Sequence, residues 1–309
     1  MKYFLKLIRA KNLLIILMTM IGVAYYLMKS NYYQKVDFHY FDYCLLIFST
    51  LIIAAAGNVI NDYFDVKADR INKPEKVIIS KHMKPRWAIL WHWTFNLLAV
   101  LIAIYLSVKY ATLVFVFVHL LSINLLWFYS LQLKKKLLIS NLIIAFLTAL
   151  VPLLSVWFFK VLNEGVTPYS PYREESWSTY LDYSFVYFLA ICAFIQNFAR
   201  EINKDIHDIQ GDLVAHVKSL PMKIGKEKAA YLTIILIQIP LVLFVLSYYV
   251  FDWIHLNRPT LIILLLSGAV NFSSALLYIV KKESTLVWIN HLMKWSMFFG
   301  LICLFSNSL

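Results

Sequence analysis

The sequence predicts an all-α polytopic membrane protein, a bundle of nine transmembrane helices forming a single integral-membrane domain over residues 1–309. Three observations predict it. Hydrophobic residues make up 61% of the chain and charged ones 15%, against roughly 45–50% and about 25% in soluble domains, and the mean hydropathy is +0.69. The apolar residues come in long unbroken runs near the roughly 20 residues a helix needs to cross the hydrocarbon, where a membrane barrel would alternate. The basic residues, finally, are segregated between alternate connections. With 7 Gly and 8 Pro, disordered, collagen-like and solenoid classes are excluded.

The first span is expected near 12–29, after Lys2, Lys6, Arg9 and Lys11. No small-residue cleavage site follows it, so it reads as a retained span and not a removed signal peptide. Further spans are expected near 43–62, 88–108, 110–130, 138–159, 181–200, 229–251, 260–280 and 286–306. The N-terminal segment and the connections at 66–87, 131–137, 200–228 and 281–285 hold 22 of the 29 Lys and Arg residues. The opposite side holds Lys29, Lys35, Lys109, Lys160, Arg173 and Arg258, and Lys294 lies inside the last span. That asymmetry places the chain in the cell membrane with its N-terminus cytoplasmic and its C-terminus outside. Most of the net charge of +12 is therefore topological, which removes the case for a nucleic-acid partner, and nothing implies a protein partner.

Cys44, Cys192 and Cys303 lie in apolar stretches without disulfide or metal spacing and are expected to be small core residues. His92, His119 and His291 also lie in apolar spans, with no partner at ligand spacing, and are expected to be buried and hydrogen-bonded. Function is expected in the two long polar cytoplasmic connections, Lys67 to Trp87 and Ile202 to Lys228, which place catalytic loops near 62–87 and 200–228. The outer loop from Lys160 to Leu181, with Pro168, Pro171, Glu174, Glu175 and Trp177, has no spacing that implies a site.

Asn58, Asp62, Asp65 and Asp69 step by 4, 3 and 4, and Glu201, Asp205, Asp208 and Asp212 repeat those steps. Each set lines one face of a helix. Carboxylates so placed repel one another, and ionisable groups cost roughly 2.5–3.5 kcal/mol each near the bilayer centre on insertion scales, so something cationic must offset them. Hard oxygen ligands suit Mg2+, which takes one or two carboxylates together with substrate phosphates and waters. Two such helix ends facing each other could hold a diphosphate through Mg2+, with Arg70, Lys73, Arg200 and Lys204 neutralising the remaining phosphate oxygens. Solvated helix ends beside Lys and Arg are the plainer alternative; identical spacing twice at one membrane face argues against it. His207 lies between two stripe residues yet points off their face.

Asn61-Asp62-x-x-Asp65-x-x-x-Asp69-Arg70 and Asp208-x-x-x-Asp212, together with Arg9, Asn12, Tyr129-Ser130, Lys134 and Asn141, resemble the paired motifs of the UbiA superfamily of intramembrane prenyltransferases. The resemblance covers most of the chain. It implies a Mg2+ site at Asn61, Asp62, Asp65, Asp69, Asp205, Asp208 and Asp212, of which Asp65, Asp69, Asp208 and Asp212 are catalytic. It further implies diphosphate contacts from Arg9, Arg70, Lys73, Lys134, Arg200 and Lys204, and a prenyl pocket with Asn12, Tyr129 and Ser130. Tyr129 would offer its π face to an allylic cation. The second motif, followed by Lys218-Ser219-Leu220-Pro221, is most similar to the ether-lipid branch. That branch implies geranylgeranyl diphosphate as donor and geranylgeranylglyceryl phosphate as acceptor. Two positions depart from the pattern: Lys73-Pro74 stands where many members have Arg-Pro, and His216-Val217 where a Gly is common. Lysine keeps the charge but loses bidentate phosphate geometry.

The expected reaction is metal-assisted departure of diphosphate, leaving an allylic cation in an apolar, water-excluding tunnel for the acceptor to attack. An aromatic quinone precursor is the alternative acceptor. From a different class, a cation-coupled secondary transporter would also place acids in the membrane. Against it, both stripes sit at one membrane face and no Gly/Pro-interrupted helix pair is present.

Overall fold

A computed structural model describes residues 2–29, 38–72, 74, 77–164, 177–214, 218–250, 254–279 and 283–307. Nine of the described helices are long and apolar enough to cross a membrane. They are α2 (Ala10–Lys29), α3 (Tyr40–Asn72), α4 (Pro85–Lys109), α5 (Val114–Leu131), α6 (Ile139–Glu164), α7 (Trp177–Val214), α9 (Lys226–Val245, continued by a π turn over Leu246–Val250), α10 (Arg258–Ile279) and α11 (Glu283–Ser306). Two short helices, α1 (Lys2–Leu7) and α8 (Leu220–Ile224), precede α2 and α9. The chain is a multi-pass membrane protein.

Two spans outrun the membrane. With 33 and 38 residues, α3 and α7 extend for roughly 50 Å or more against about 30 Å of hydrocarbon. The polar stretches after 62 and 200, expected as loops, thus begin as helix that continues to Asn72 and Val214. Gly211 is the one Gly or Pro in either stretch and does not end α7, whose Glu201–Lys204 pair three residues apart supports the helix beyond its apolar part.

The helices pack as α3 against α4 and α5, α6 against α7, α7 against α9 and α11, and α10 against α9 and α11, with α2 touching α3, α6, α7 and α11. The main core lies towards the end of the bundle away from the acidic stripes, around Met20, Leu27, Leu46, Phe115, Phe158, Phe159 and Phe185. Tyr43 anchors it, donating to the Met20 carbonyl (2.6 Å) and pairing with the Ser155 hydroxyl (2.9 Å). Large side chains on the outer faces, such as Leu14, Leu97, Leu101, Phe117 and Ile262, are exposed, as lipid-facing residues should be. Inside, polar contacts join helices where hydrocarbon offers no partner: Gln196 to Ser296 (2.9 Å), Ser267 to Ser296 (2.8 Å) and Tyr278 to Asn203 (2.5 Å).

His92 and His119 are buried, as expected, His92 beside the Ala56 carbonyl (3.1 Å) and His119 beside the Phe115 carbonyl and the Ser49 hydroxyl (both 2.7 Å). His291 is a correction: it is exposed on α11 with its ring 6.2 Å from Trp288. Cys303 is buried and Cys192 partly so, but Cys44 is exposed. A thiol on an outward helix face costs little in lipid, so apolar surroundings in sequence did not require a core position. At the end opposite the stripes, Asp42 is 1% exposed and is held by Tyr110 (2.6 Å), Tyr105 (3.2 Å) and Lys109 (2.6 Å).

Gly57 sets how closely α3 and α5 approach. A Cβ there would lie 2.8 and 2.9 Å from the two Leu126 methyls, one turn before Tyr129. Gly57→Val is therefore expected to cost roughly 1–3 kcal/mol, read as a lowered Tm in detergent, with Leu126→Ala in the same chain recovering part of it. An unchanged Tm would mean that Leu126 moves aside without loss.

Candidate active site

The first stripe rises along α3 and meets two segments, the break between α1 and α2 and the connection between α5 and α6. Asn58 donates to the Ile8 carbonyl (3.0 Å), Arg9 pairs with Asp62 (2.7 Å), and Lys134 pairs with Asp65. Arg9 reaches Asp62 because the chain breaks between α1 and α2 with Arg9 itself at φ 53°, a left-handed conformation uncommon for a residue with a Cβ. Burial disfavours the charged forms of Arg9 and Lys134. Asp62 for the first and Asp65 for the second more than offset it, so both pKa values lie above normal and both side chains stay cationic. The turn at 77–83 covers this end: Ile78 and Ile79 are buried with Leu7, Val59 and Ala88, and the Tyr3 ring stacks on His82 at 3.8 Å.

The second stripe lies on α7. Glu201 takes Lys204 (2.5 Å) and Arg200 (3.5 Å), both from its own helix, and Arg200 also donates to the Asn197 side chain (3.2 Å). Asp205 accepts from Asn141 (2.9 Å), whose amide oxygen in turn accepts from Ser140 (2.7 Å). His207 lies 3.1 Å from Asp208.

The connection between α5 and α6 joins the stripes. A 3-10 turn over Leu133–Lys135 sends Lys134 to α3, while Asn141, at the start of α6, reaches α7. Between them opens a pocket lined by Tyr129, Lys134, Ser140, Asn141, Glu201, Asp205 and Ser219. The second face contributes Glu201 and Asp205 to the wall of this chamber, and the first reaches it through Asp65, the partner of Lys134 in that wall.

Other expected site residues are placed as follows. Asp69 is partly buried on α3 and favours the charged Lys134, while Arg70 is exposed. Ser130 is buried but donates to the Leu126 carbonyl of its own helix (2.9 Å). Asn12 is exposed in the first turn of α2. Lys73 and the side chain of Asp212 lie outside the described residues, as do His216, Val217, Lys76, Pro168, Pro171, Glu174 and Glu175. Ser140 and Ser219 line the pocket without having been singled out; Ser140 could have been found from its place beside Asn141, and Ser219 from the motif that contains it.

The donor set decides whether a divalent cation suits this chamber. Asn61, Asp62, Asp65, Asp69, Asp205 and Asp208 offer oxygen alone, and the buried Asn61 Oδ1 has no hydrogen-bond partner. Asp62 and Asp65 already hold cationic groups. Among the described residues no three carboxylate, His or Cys groups converge tightly enough to hold an ion alone. A hard cation here would complete its shell with substrate oxygens and water, the habit of Mg2+. The residues fit such a group.

Fold and site define a polytopic membrane protein with a charge-paired polar chamber at one end of its helix bundle. The chain belongs to the UbiA prenyltransferase family, whose model matches residues 15–301. It is similar to the digeranylgeranylglyceryl phosphate synthase of Thermococcus gammatolerans, 36% identical over 190 residues that cover 60% of this chain and 59% of that one. That match spans less than two thirds of the relative. A solved structure of a digeranylgeranylglyceryl phosphate synthase is similar over 99% of this chain and 98% of its own, with 25% identity and a TM-score of 0.67. A UbiA homologue from Archaeoglobus fulgidus bound to DMAPP and Mg2+ shares the fold, with 16% identity, 97% and 98% coverage and a TM-score of 0.57.

Proposed function

We propose that this chain, as one integral-membrane domain, transfers a prenyl group from an isoprenoid diphosphate to a lipophilic acceptor. The donor in this reading is geranylgeranyl diphosphate and the acceptor geranylgeranylglyceryl phosphate. The observation that carries the proposal is the convergence of two acidic helix faces, tied by Lys134 and Asn141, at one polar chamber in a UbiA-family bundle. The specific acceptor is supported by similarity to digeranylgeranylglyceryl phosphate synthases.

Asn61, Asp62, Asp65, Asp69, Asp205, Asp208 and Asp212 would hold Mg2+, which when bound supplies neutralising charge to the diphosphate. Arg9 and Lys134 pair with Asp62 and Asp65, and Arg200 and Lys204 with Glu201, poised to turn to phosphate oxygens, and Arg70, near the end of α3, and Lys73 would add to them. The bond from the donor C1 to the diphosphate oxygen breaks, the acceptor hydroxyl oxygen bonds to C1, and the hydroxyl proton passes to the departing diphosphate. Tyr129, at the pocket wall, offers its ring face to the allylic cation, and the apolar bundle keeps water from it.

The test is purified protein in lipid nanodiscs with Mg2+, labelled C10 to C20 allylic diphosphates and both lipid and aromatic acceptors, with products read by mass spectrometry. A digeranylgeranyl ether as main product supports the reading. Preferred prenylation of an aromatic ring would move the acceptor to the quinone-precursor class, and ion flux without prenyl transfer would replace the reading with a transporter.

The chamber end of the bundle is assigned to the cytoplasm, because 22 of the 29 Lys and Arg residues lie in the connections on that side. Single cysteines at the exposed Lys218 and His255, in a chain with Cys44, Cys192 and Cys303 replaced, are expected to label only from the cytoplasmic and only from the outer side, respectively. The reverse pattern would overturn the orientation.

A further inference from the structure

Ser219 is 5% exposed, and its hydroxyl has no hydrogen-bond partner. It precedes α8, where a serine ordinarily caps the first turn, yet it makes no such bond. The hydroxyl belongs instead to the wall of the chamber, with Lys134, Ser140 and Asn141. Of the neutral polar groups in that wall, Ser140 donates to Asn141 and Asn141 donates to Asp205, and none of them meets the Ser219 hydroxyl. Ser219 is therefore a donor, buried in a polar pocket, waiting for an acceptor that the protein does not supply. A buried hydroxyl left in that state is unfavourable unless a ligand completes it.

The chemistry of the wall indicates which ligand. The Lys134 ammonium lines the same pocket and stays charged, so the ligand atom sharing the pocket with it is anionic. Next to two carboxylates, Glu201 and Asp205, an anion has to bring oxygens that accept hydrogen bonds from a hydroxyl and an ammonium together. We propose that Ser219 Oγ donates to a phosphoryl oxygen of substrate and is a phosphate-positioning residue of this chamber. The inference rests on the function proposed above, in which both donor and acceptor carry phosphate. It adds a neutral hydroxyl on the segment after α7 to the charges that α3, α7 and the turns carrying Arg9 and Lys134 bring to the site.

The experiment measures equilibrium binding to the full chain in nanodiscs, with Mg2+ present, for wild type, Ser219→Ala and Ser219→Thr. Three probes are used: inorganic pyrophosphate, a geranylgeranylglyceryl phosphate, and the corresponding geranylgeranylglycerol without phosphate. Ser219→Ala is expected to weaken at least one phosphate-bearing probe about tenfold, the loss of one hydrogen bond to a charged group. Ser219→Thr should retain most of the affinity, and the phosphate-free lipid should bind all three proteins alike. A loss confined to pyrophosphate assigns the hydroxyl to the donor, and a loss confined to the phosphate lipid assigns it to the acceptor. Unchanged binding of both phosphate probes, an equal loss for the phosphate-free lipid, or no binding of either phosphate probe by wild type would overturn the inference. Because binding is read without turnover, a protein that binds pyrophosphate through Ser219 yet transfers no prenyl group would sink the proposed function and leave this inference standing.

Discussion

Asp65→Asn is expected to lower prenyl-transfer turnover about 100-fold or more, the scale of losing one preorganised charge at a reacting centre. Asparagine keeps the shape of the side chain and removes the charge that Lys134 meets. Two consequences combine. The oxygen ligand becomes neutral, and Lys134 loses the partner that holds it over the chamber. Lys134 is about a third exposed and Asp69 also favours its charged form, so the fold should tolerate the change and Tm should move little. Lys134→Met tests the other partner: it leaves the acids in place and removes a cation near the phosphate, so it should raise the KM for the allylic diphosphate more than it lowers kcat. Near wild-type kinetics for Asp65→Asn in a folded protein would reduce the first stripe to a solvated helix end.

The spans were legible because hydrocarbon imposes length and apolarity on every segment that crosses it, and the stripes because a helix brings residues three and four apart onto one face. The spacing did not carry the partners. Arg9 meets Asp62 only because the backbone turns left-handed at Arg9, and no local pattern announces a φ of that sign in an arginine. Lys134 and Asn141 sit 69 and 64 residues from the acids they touch, so their pairing follows from how α5 and α6 pack. Arg200 and Lys204 engage Glu201 on their own helix, a contact that the spacing allowed as readily as a role towards ligand. Ser130 shows the opposite case, a polar residue beside the site whose hydroxyl turns back to its own helix. The buried Asp42 cluster was invisible for the same reason as the partners of Lys134 and Asn141: Tyr105, Lys109 and Tyr110 come from the far end of α4, 63 to 68 residues away in sequence.

Chelation is expected to abolish turnover and added Mg2+ to restore it, and the charge balance of the chamber says why the protein's own cations cannot substitute. Arg9, Lys134, Arg200 and Lys204 each already face an acid within ion-pair distance. Asp69, Asp205 and Asp208 stand near them, so the described chamber is negative on balance before any substrate arrives. A diphosphate would add further negative charge at close range, where two like charges about 4 Å apart repel by roughly 4 kcal/mol at the effective dielectric of a protein surface. Moving Arg9 or Lys134 from a carboxylate to a phosphate does not reduce that total, because it uncovers one anion to cover another. Only added positive charge does, and the ligands that remain for it, the unpartnered Asn61 Oδ1 and the carboxylates, are the hard oxygens that Mg2+ prefers over softer metals. Donor binding should therefore weaken with turnover in chelator, which direct binding of labelled geranylgeranyl diphosphate with and without EDTA would measure. Full affinity and full turnover in chelator would mean that the chamber balances its charge by protonating its acids, and activity would then fall steeply as pH rises.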